Sequence, residues 1–161
     1  MRIDAHGFRV DLPAPWEGAV RLGEASRTAH ERAAFQGRVL QTPPVLHLST
    51  TQMPSLRGDF GSGAVDLLGT EDVFVAVLEY GADSVGTPLF DTGPLPRSLD
   101  HRAFAGNGLQ RAIPGQAGWQ HFCTENGRAL CLYVVLGSRH NARRLVRTAD
   151  DVLSRLEIAP R

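Results

Sequence analysis

Two segments of this chain are apolar without interruption. Residues 73–78 read VFVAVL, and residues 129–136 read ALCLYVVL. Because successive side chains of a β-strand point to opposite faces of the sheet, each unbroken apolar run predicts a strand that is buried on both faces. Two such strands require cover on both sides of one sheet. The chain is therefore predicted to fold as an α/β protein in which helices lie on both faces of the sheet.

Further strands are predicted from alternation of apolar and polar residues. Residues 7–12 place Phe8, Val10 and Leu12 on one face, and Pro13 ends that strand. Together with residues 73–80, the predicted strands cover residues 7–12, 19–22, 45–51, 119–124 and 129–137. The sheet is thus expected to have about six strands, mostly antiparallel, within a single domain that spans residues 1–161.

The last two predicted strands are joined by the dipeptide Asn-Gly at positions 126–127, the strongest short-range signal for a β-hairpin. A two-residue turn at this point sets Cys123 opposite Leu130 and Phe122 opposite Cys131. The two cysteines then point to opposite faces of the sheet, which disfavours a disulfide between them. Two buried free thiols are typical of a reducing cytoplasm.

Helices are predicted in three places. Residues 140–156 carry apolar side chains with the period of one helical face, and residues 156–158 either end this helix or add a short edge strand. A short helix is expected over residues 64–68, where Gly69 ends it, and another near residues 27–34.

Composition excludes several classes of function. All 17 basic residues are arginine, so no lysine is present to form a Schiff base or a phosphate-binding loop. The net charge is zero and the pI is about 7.0, whereas a dedicated nucleic-acid binder is normally basic. The longest apolar run is far shorter than the ~20 residues that cross a bilayer, and the start of the chain lacks a signal-peptide core. We therefore expect a cytoplasmic protein that binds neither nucleic acid nor membrane.

The ends of the chain resemble a known family. Residues 7–13 (GFRVDLP) followed by Trp16 are similar to the opening of PsbP-like domains, and the closing helix and the hairpin at residues 119–137 also suit that family. The resemblance covers both ends and the general layout, but not the middle. It implies an antiparallel sheet sandwiched between helices, with a binding rather than a catalytic role. The amino-acid composition, with arginine as the sole basic residue type apart from histidine and with much alanine and glycine, also resembles that of uncharacterised actinobacterial proteins.

A glycine-rich loop at residues 58–63 (GDFGSG) is the first candidate site. Its residues Asp59, Gly61, Ser62 and Gly63 could form a backbone nest that holds an anion or a ligand oxygen. Alternatively, the glycines only supply the backbone angles of a tight loop.

Arg143, Arg144 and Arg147 form a second candidate site near the start of the last predicted helix. Positive charges oppose the helix dipole at this end, which favours an anion or an acidic partner as their target. The alternative is a solvated helix face on which Arg147 pairs with Asp150 or Asp151.

The long irregular segment at residues 81–118 is rich in glycine and proline. Long irregular segments of this kind either carry functional residues or pack over the surface of the core. Phe90 and Phe104 within it are candidates for contacts with an unknown protein partner or with a second copy of the chain.

No recognised catalytic motif, cofactor fingerprint or metal-ligand spacing is present, and the six histidines are scattered. The sequence thus favours a small non-catalytic protein-binding or assembly module, with no cofactor and no metal. The alternatives are a small-molecule or anion-binding protein, or a small hydrolase that uses Asp59 or His101 as acid or base.

Overall fold

The computed structural model describes residues 1–23, 34–37 and 42–161. Within these ranges the chain forms two antiparallel sheets and an α-helix near its end. In chain order the elements are β1 (Arg2–Ala5), β2 (Phe8–Asp11), β3 (Glu17–Leu22), β4 (Pro44–Ser49), β5 (Val73–Tyr80), β6 (Ala117–Glu125), β7 (Arg128–Leu136), α1 (Ala142–Ser154) and β8 (Glu157–Ile158). The prediction of a mixed α/β protein with antiparallel strands is therefore confirmed.

The larger sheet has five strands in the order β3-β4-β5-β7-β6. The two strands predicted to be buried on both faces, β5 and β7, are neighbours near its centre, with Val75 paired to Val134. Every residue from Val73 to Glu79 is buried, as is every residue from Ala129 to Leu136. Central strands of this composition are stable only when apolar layers cover both faces.

The hairpin between β6 and β7 has the predicted register. Cys123 pairs with Leu130 and Phe122 pairs with Cys131 across the two strands. The turn residues Asn126 and Gly127 both have positive φ, 50° and 74°, as a type I′ turn requires. Both cysteines are free and buried.

One face of the larger sheet is covered by α1 together with the smaller sheet. Helix α1 buries Leu145, Ala149, Val152 and Leu153, the apolar stripe predicted for it, in the same core as the side chains of β5 and β7. The smaller sheet has the order β1-β2-β8 and adds apolar side chains from β2 and β8 to this core.

The opposite face is covered mainly by segments that contain no described α-helix. Ala64 and Val65 are buried there against Phe74 and Tyr133, and partly buried side chains from residues 53–68 and 109–113 complete the layer. The helix predicted over residues 64–68 is a single 3₁₀ turn, Val65–Leu67. The short helix predicted near residues 27–34 lies outside the described residues, apart from its last residue.

The number of sheets differs from the prediction. The sequence predicts one sheet of about six strands, whereas the described residues form eight strands divided between two sheets. Strand β2 pairs with β1 and β8 rather than with the larger sheet. Pro13 and Pro15 interrupt backbone pairing directly after β2, so the chain leaves the smaller sheet before β3 begins.

The segment at residues 81–118 contains three 3₁₀ turns and packs as cover over the sheet. Phe90 and Phe104 are each only 4% exposed, and the Phe90 ring lies perpendicular to that of Phe122 at 5.4 Å. This burial corrects the idea that the two phenylalanines present an exposed surface, because their rings already fill the core.

In the described part of the chain, no helix is long and apolar enough to cross a membrane.

Two glycines in the 3₁₀ turn Gly106–Gly108 provide a test of how tightly this cover packs. A Cβ at Gly108 would overlap the backbone carbonyl of Gly118 at the start of β6, whereas a Cβ at Gly106 meets nothing within 4 Å. We expect Gly108→Ala to lower the free energy of unfolding by about 2–4 kcal/mol, because backbone must move to make room. Gly106→Ala is the matched control and should change it by less than ~1 kcal/mol. Urea unfolding measures both, and equal stability of the two variants would contradict the close approach.

Candidate functional site

A cleft opens at one end of the larger sheet, where β3 and β5 end and β4 and β7 begin. It consists of two adjoining cavities of about 800 Å³ and 230 Å³. We call it the sheet-end cleft. The residues that line both cavities are Thr42, Pro43, Glu79 and Gly81.

The larger cavity is lined by an ion-pair network. The Glu79 side chain is only 1% exposed, and its Oε2 accepts a hydrogen bond from Arg128 Nη1 at 2.6 Å. Arg161 Nη2 lies 3.3 Å from the other carboxylate oxygen. Arg128 Nε also donates to the carbonyl of Ala159 at 2.8 Å. A buried carboxylate needs such partners, and this network also fastens residues 159–161 to the sheet.

The smaller cavity is mostly apolar. Val45, Phe60 and Leu78 form its walls, and Tyr80 and Asp59 add polar groups. Burial raises the pKa of the Tyr80 hydroxyl, so this group stays protonated and able to donate a hydrogen bond. An apolar cavity with a few polar groups is the usual form of a small-molecule site.

Asp59 is held in place from two sides. Its carboxylate Oδ1 accepts a hydrogen bond from Arg21 Nη2 at 2.6 Å. Its backbone carbonyl lies 2.8 Å from Nε2 of the fully buried His47. The loop that carries Asp59 is thereby attached to both β3 and β4.

The tautomer of His47 follows from its partners. Arg57 Nε donates to His47 Nδ1 at 2.8 Å, so Nδ1 is the acceptor and Nε2 carries the proton that it donates to Asp59. Desolvation by burial, aided by the charges of Arg57 and Arg21, lowers the pKa of His47 to about 4. The imidazole is neutral with both nitrogens engaged, which suits a positioning role and not that of a catalytic base.

Two N–H groups of the predicted anion nest, those of Gly61 and Gly63, already donate within the protein. The N–H of Gly61 donates to the carbonyl of Gly58 at 2.9 Å, and the N–H of Gly63 donates to the Asp66 carboxylate at 3.1 Å. The carbonyl of Ser62 accepts from the N–H of Gly58. These groups are used within the loop, and Gly61 and Gly63 have φ of 80° and 90°, values that favour glycine. Of the four predicted loop residues, Asp59 is the one that lines the sheet-end cleft.

The three arginines predicted near the start of α1 have different surroundings. Arg144 forms an ion pair with Glu71. Arg143 instead lines a separate shallow cavity beside residues 98–102. Arg147 is exposed.

The acidic residues later in α1 have partners other than Arg147. Asp150 accepts a hydrogen bond from the N–H of Leu99, and Asp151 pairs with Arg155. The predicted pairing of Arg147 with Asp150 or Asp151 is therefore not among the ion pairs of the described residues.

The cysteine thiols are not activated, and the two acid–base candidates, Asp59 and His101, lie in different cavities. Burial raises the pKa of the Cys123 thiol to about 11 and that of Cys131 to about 12, so neither is an activated nucleophile. Asp59 and His101 line different cavities and do not form an acid–base pair. Across the described ranges, no three His, Cys, Asp or Glu side chains converge as metal ligands would.

The sequence did not predict the ion-pair network of the sheet-end cleft. Glu79 carried a usable signal, because a carboxylate directly after an apolar strand needs a cationic partner once it is buried. Its partners Arg128 and Arg161 are 49 and 82 positions away along the chain, and no local pattern identifies them. The chain matches no known protein-family model, and no curated protein or solved structure shows significant similarity to it.

The lowered pKa of His47 predicts a specific pH dependence of stability. Above pH 6.5 the imidazole is neutral in both the folded and the unfolded chain, so it has no effect there. As the pH falls from 6.5 to about 4, His47 becomes protonated in the unfolded chain but stays neutral in the folded chain. This difference should remove about 3 kcal/mol of stability.

The variant His47→Gln is the control, because its amide can donate to Asp59 and accept from Arg57 without titrating. Urea unfolding from pH 7 to pH 4 should show a clearly smaller loss of stability in the variant. The same loss in both proteins would contradict the neutral, buried His47.

Proposed function

We propose that this chain is a non-catalytic binding protein that takes a small molecule into the sheet-end cleft. The observation that carries the proposal is the pairing of a mostly apolar cavity of about 230 Å³ with one of about 800 Å³ that holds the ion-pair network of Glu79. Binding sites for small molecules combine these two features in one concave surface.

The chemistry of the described side chains supports binding over catalysis. His47 has both nitrogens engaged, and the thiols of Cys123 and Cys131 are kept protonated by burial. Asp59 is hydrogen-bonded to Arg21. A general base or nucleophile needs a reactive protonation state and access to substrate.

The burial of Phe90 and Phe104 favours a small-molecule ligand over a protein partner. The sequence offered these two rings as the contact residues for a protein partner, but both rings are buried in the core. The cleft needs no such anchors, since its own walls supply apolar area and hydrogen-bonding groups. A small-molecule ligand is therefore favoured over a protein partner.

We also propose that the chain is related to PsbP-like domains and works in the cytoplasm. The support for the first is the opening strand that leads through Pro13 to the buried Trp16, together with α1 followed by β8. The support for the second is the pair of free, buried cysteines.

A variant that fills the cleft tests the binding proposal. Gly81 lines both cavities, has an ordinary φ of −61°, and leaves open space where a Cβ would be. Gly81→Trp should therefore fold normally and place a large ring at the junction of the cavities. Gly106→Trp, which adds the same ring away from the cleft lining, is the control.

The measurement is a thermal-shift screen of small metabolites, followed by calorimetric titration of each hit. A ligand at 100 times its Kd stabilises the folded state by about 2.7 kcal/mol, or roughly 5–10 °C for a chain of this size. Hits should lose this shift in Gly81→Trp and keep it in Gly106→Trp. A screen without hits, or hits that bind Gly81→Trp unchanged, would exclude the cleft as the site.

A further inference from the structure

A second, shallow and open depression lies between the start of α1 and the segment around the 3₁₀ turn His101–Ala103. Its cavity volume is about 600 Å³. We call it the α1 cleft. It is separate from the sheet-end cleft and independent of the function proposed above. The residues that line it are Ser98, Leu99, Asp100, His101, Arg102 and Arg143.

The segment that forms one wall is held firmly against the protein. The N–H of Leu99 donates to Asp150 Oδ1 on α1 at 2.9 Å. Asp100 Oδ1 accepts from the N–H of Arg102 at 2.9 Å, which fixes the start of the 3₁₀ turn. Leu95 and Phe104 are buried on either side of this segment. The backbone of this wall is thus fixed before any ligand arrives, which lowers the entropic cost of binding.

The cleft carries an excess of positive charge. Arg102 donates from Nε and Nη2 to both carboxylate oxygens of Asp100, so these two charges offset each other. Arg143 is different, because no carboxylate of the described residues lies within 4 Å of it. Two other arginines of the same region, Arg144 and Arg155, are paired with Glu71 and Asp151. Arg147 also lacks an ion pair among the described residues, but it does not line the α1 cleft, so Arg143 is the unpaired guanidinium of this cleft.

From this arrangement we propose that the α1 cleft binds a phosphate group carried by a small soluble molecule. The guanidinium of Arg143 matches the spacing of two phosphate oxygens and forms charge-assisted hydrogen bonds to them. Arg102 keeps the charge of Asp100 neutralised, and the hydroxyl of Ser98 adds a neutral donor. A phosphate dianion suits this cleft better than an apolar ligand, because Leu99 is the single apolar residue among those that line it.

The charges on Arg143 and Arg144 allow a matched test. The two residues are adjacent and exposed on α1, but Arg144 pairs with Glu71 and does not line the α1 cleft. Arg143→Gln and Arg144→Gln remove the same charge from the same helix turn. Both should keep the unfolding temperature of the parent protein, which thermal unfolding checks first.

The probe is inorganic phosphate, titrated into ¹⁵N-labelled protein at constant ionic strength with chloride as the reference anion. The parent protein and Arg144→Gln should show saturable shifts of the amide signals of residues 98–102 with similar Kd. Arg143→Gln should bind at least about tenfold more weakly, the equivalent of about one lost hydrogen bond to a charged group. Absence of saturable shifts in the parent, or equal weakening in both variants, would overturn the proposal.

A second experiment distinguishes a soluble phosphate compound from a lipid headgroup as the ligand. A nucleoside monophosphate should compete with inorganic phosphate for the same amide signals. Sedimentation with vesicles of phosphatidylcholine and phosphatidic acid should leave the protein in the supernatant. Protein that pellets with these vesicles but ignores soluble phosphates would overturn the small-molecule source in favour of a lipid surface.

Discussion

The pairing of β5 with β7 is the constraint on which the rest of the structure depends. Both strands are apolar on both faces, and their eight paired positions run from Val73–Leu136 to Tyr80–Ala129. Neither strand can be exposed to water on either side without losing burial worth about 25 cal/mol for each Å² of apolar surface. Strands β3, β4 and β6 extend the sheet on either side of this pair. Its two faces are covered by α1 with the smaller sheet on one side, and by residues 53–68 and 109–113 on the other.

The same constraint explains where polar chemistry is located. Glu79 is the first charged residue after the apolar run of β5, and its side chain remains almost fully buried. Arg128 stands diagonally across from it on β7, since Glu79 pairs with Leu130, two positions further on. Diagonal neighbours on one face are close enough for long side chains to meet. The end of the central strands is thus where the apolar layer gives way to an ion pair, and the sheet-end cleft begins there.

Local patterns predicted the elements that depend on local physics. Residues 73–80 form β5 as expected, the Asn-Gly turn sets the register of β6 and β7, and the apolar stripe places α1 within residues 140–156. The division into two sheets was not predictable in this way, because the choice of partner for β2 is made by tertiary packing. The same is true of the sheet-end cleft, whose residues come from distant parts of the chain. Phe90 and Phe104 were predicted to contact a partner because their segment is irregular and rich in glycine and proline. Such a segment can still bury its aromatic rings, as both residues show.

The distribution of reactive groups argues for recognition by shape and charge. Three groups with intrinsic nucleophilic or basic character are buried on strands of the larger sheet, where desolvation keeps them neutral: His47 on β4, Cys123 on β6 and Cys131 on β7. The groups that remain accessible in the two clefts are mainly hydrogen-bond donors and fixed charges, with Arg161 at one and Arg143 at the other. Fixed donors on a rigid, two-sided core hold a ligand in one orientation at little conformational cost. Because continuous apolar strands fill the interior, polar groups stay accessible at the ends of the sheet and along the edges of its cover, and both sites that we propose lie there.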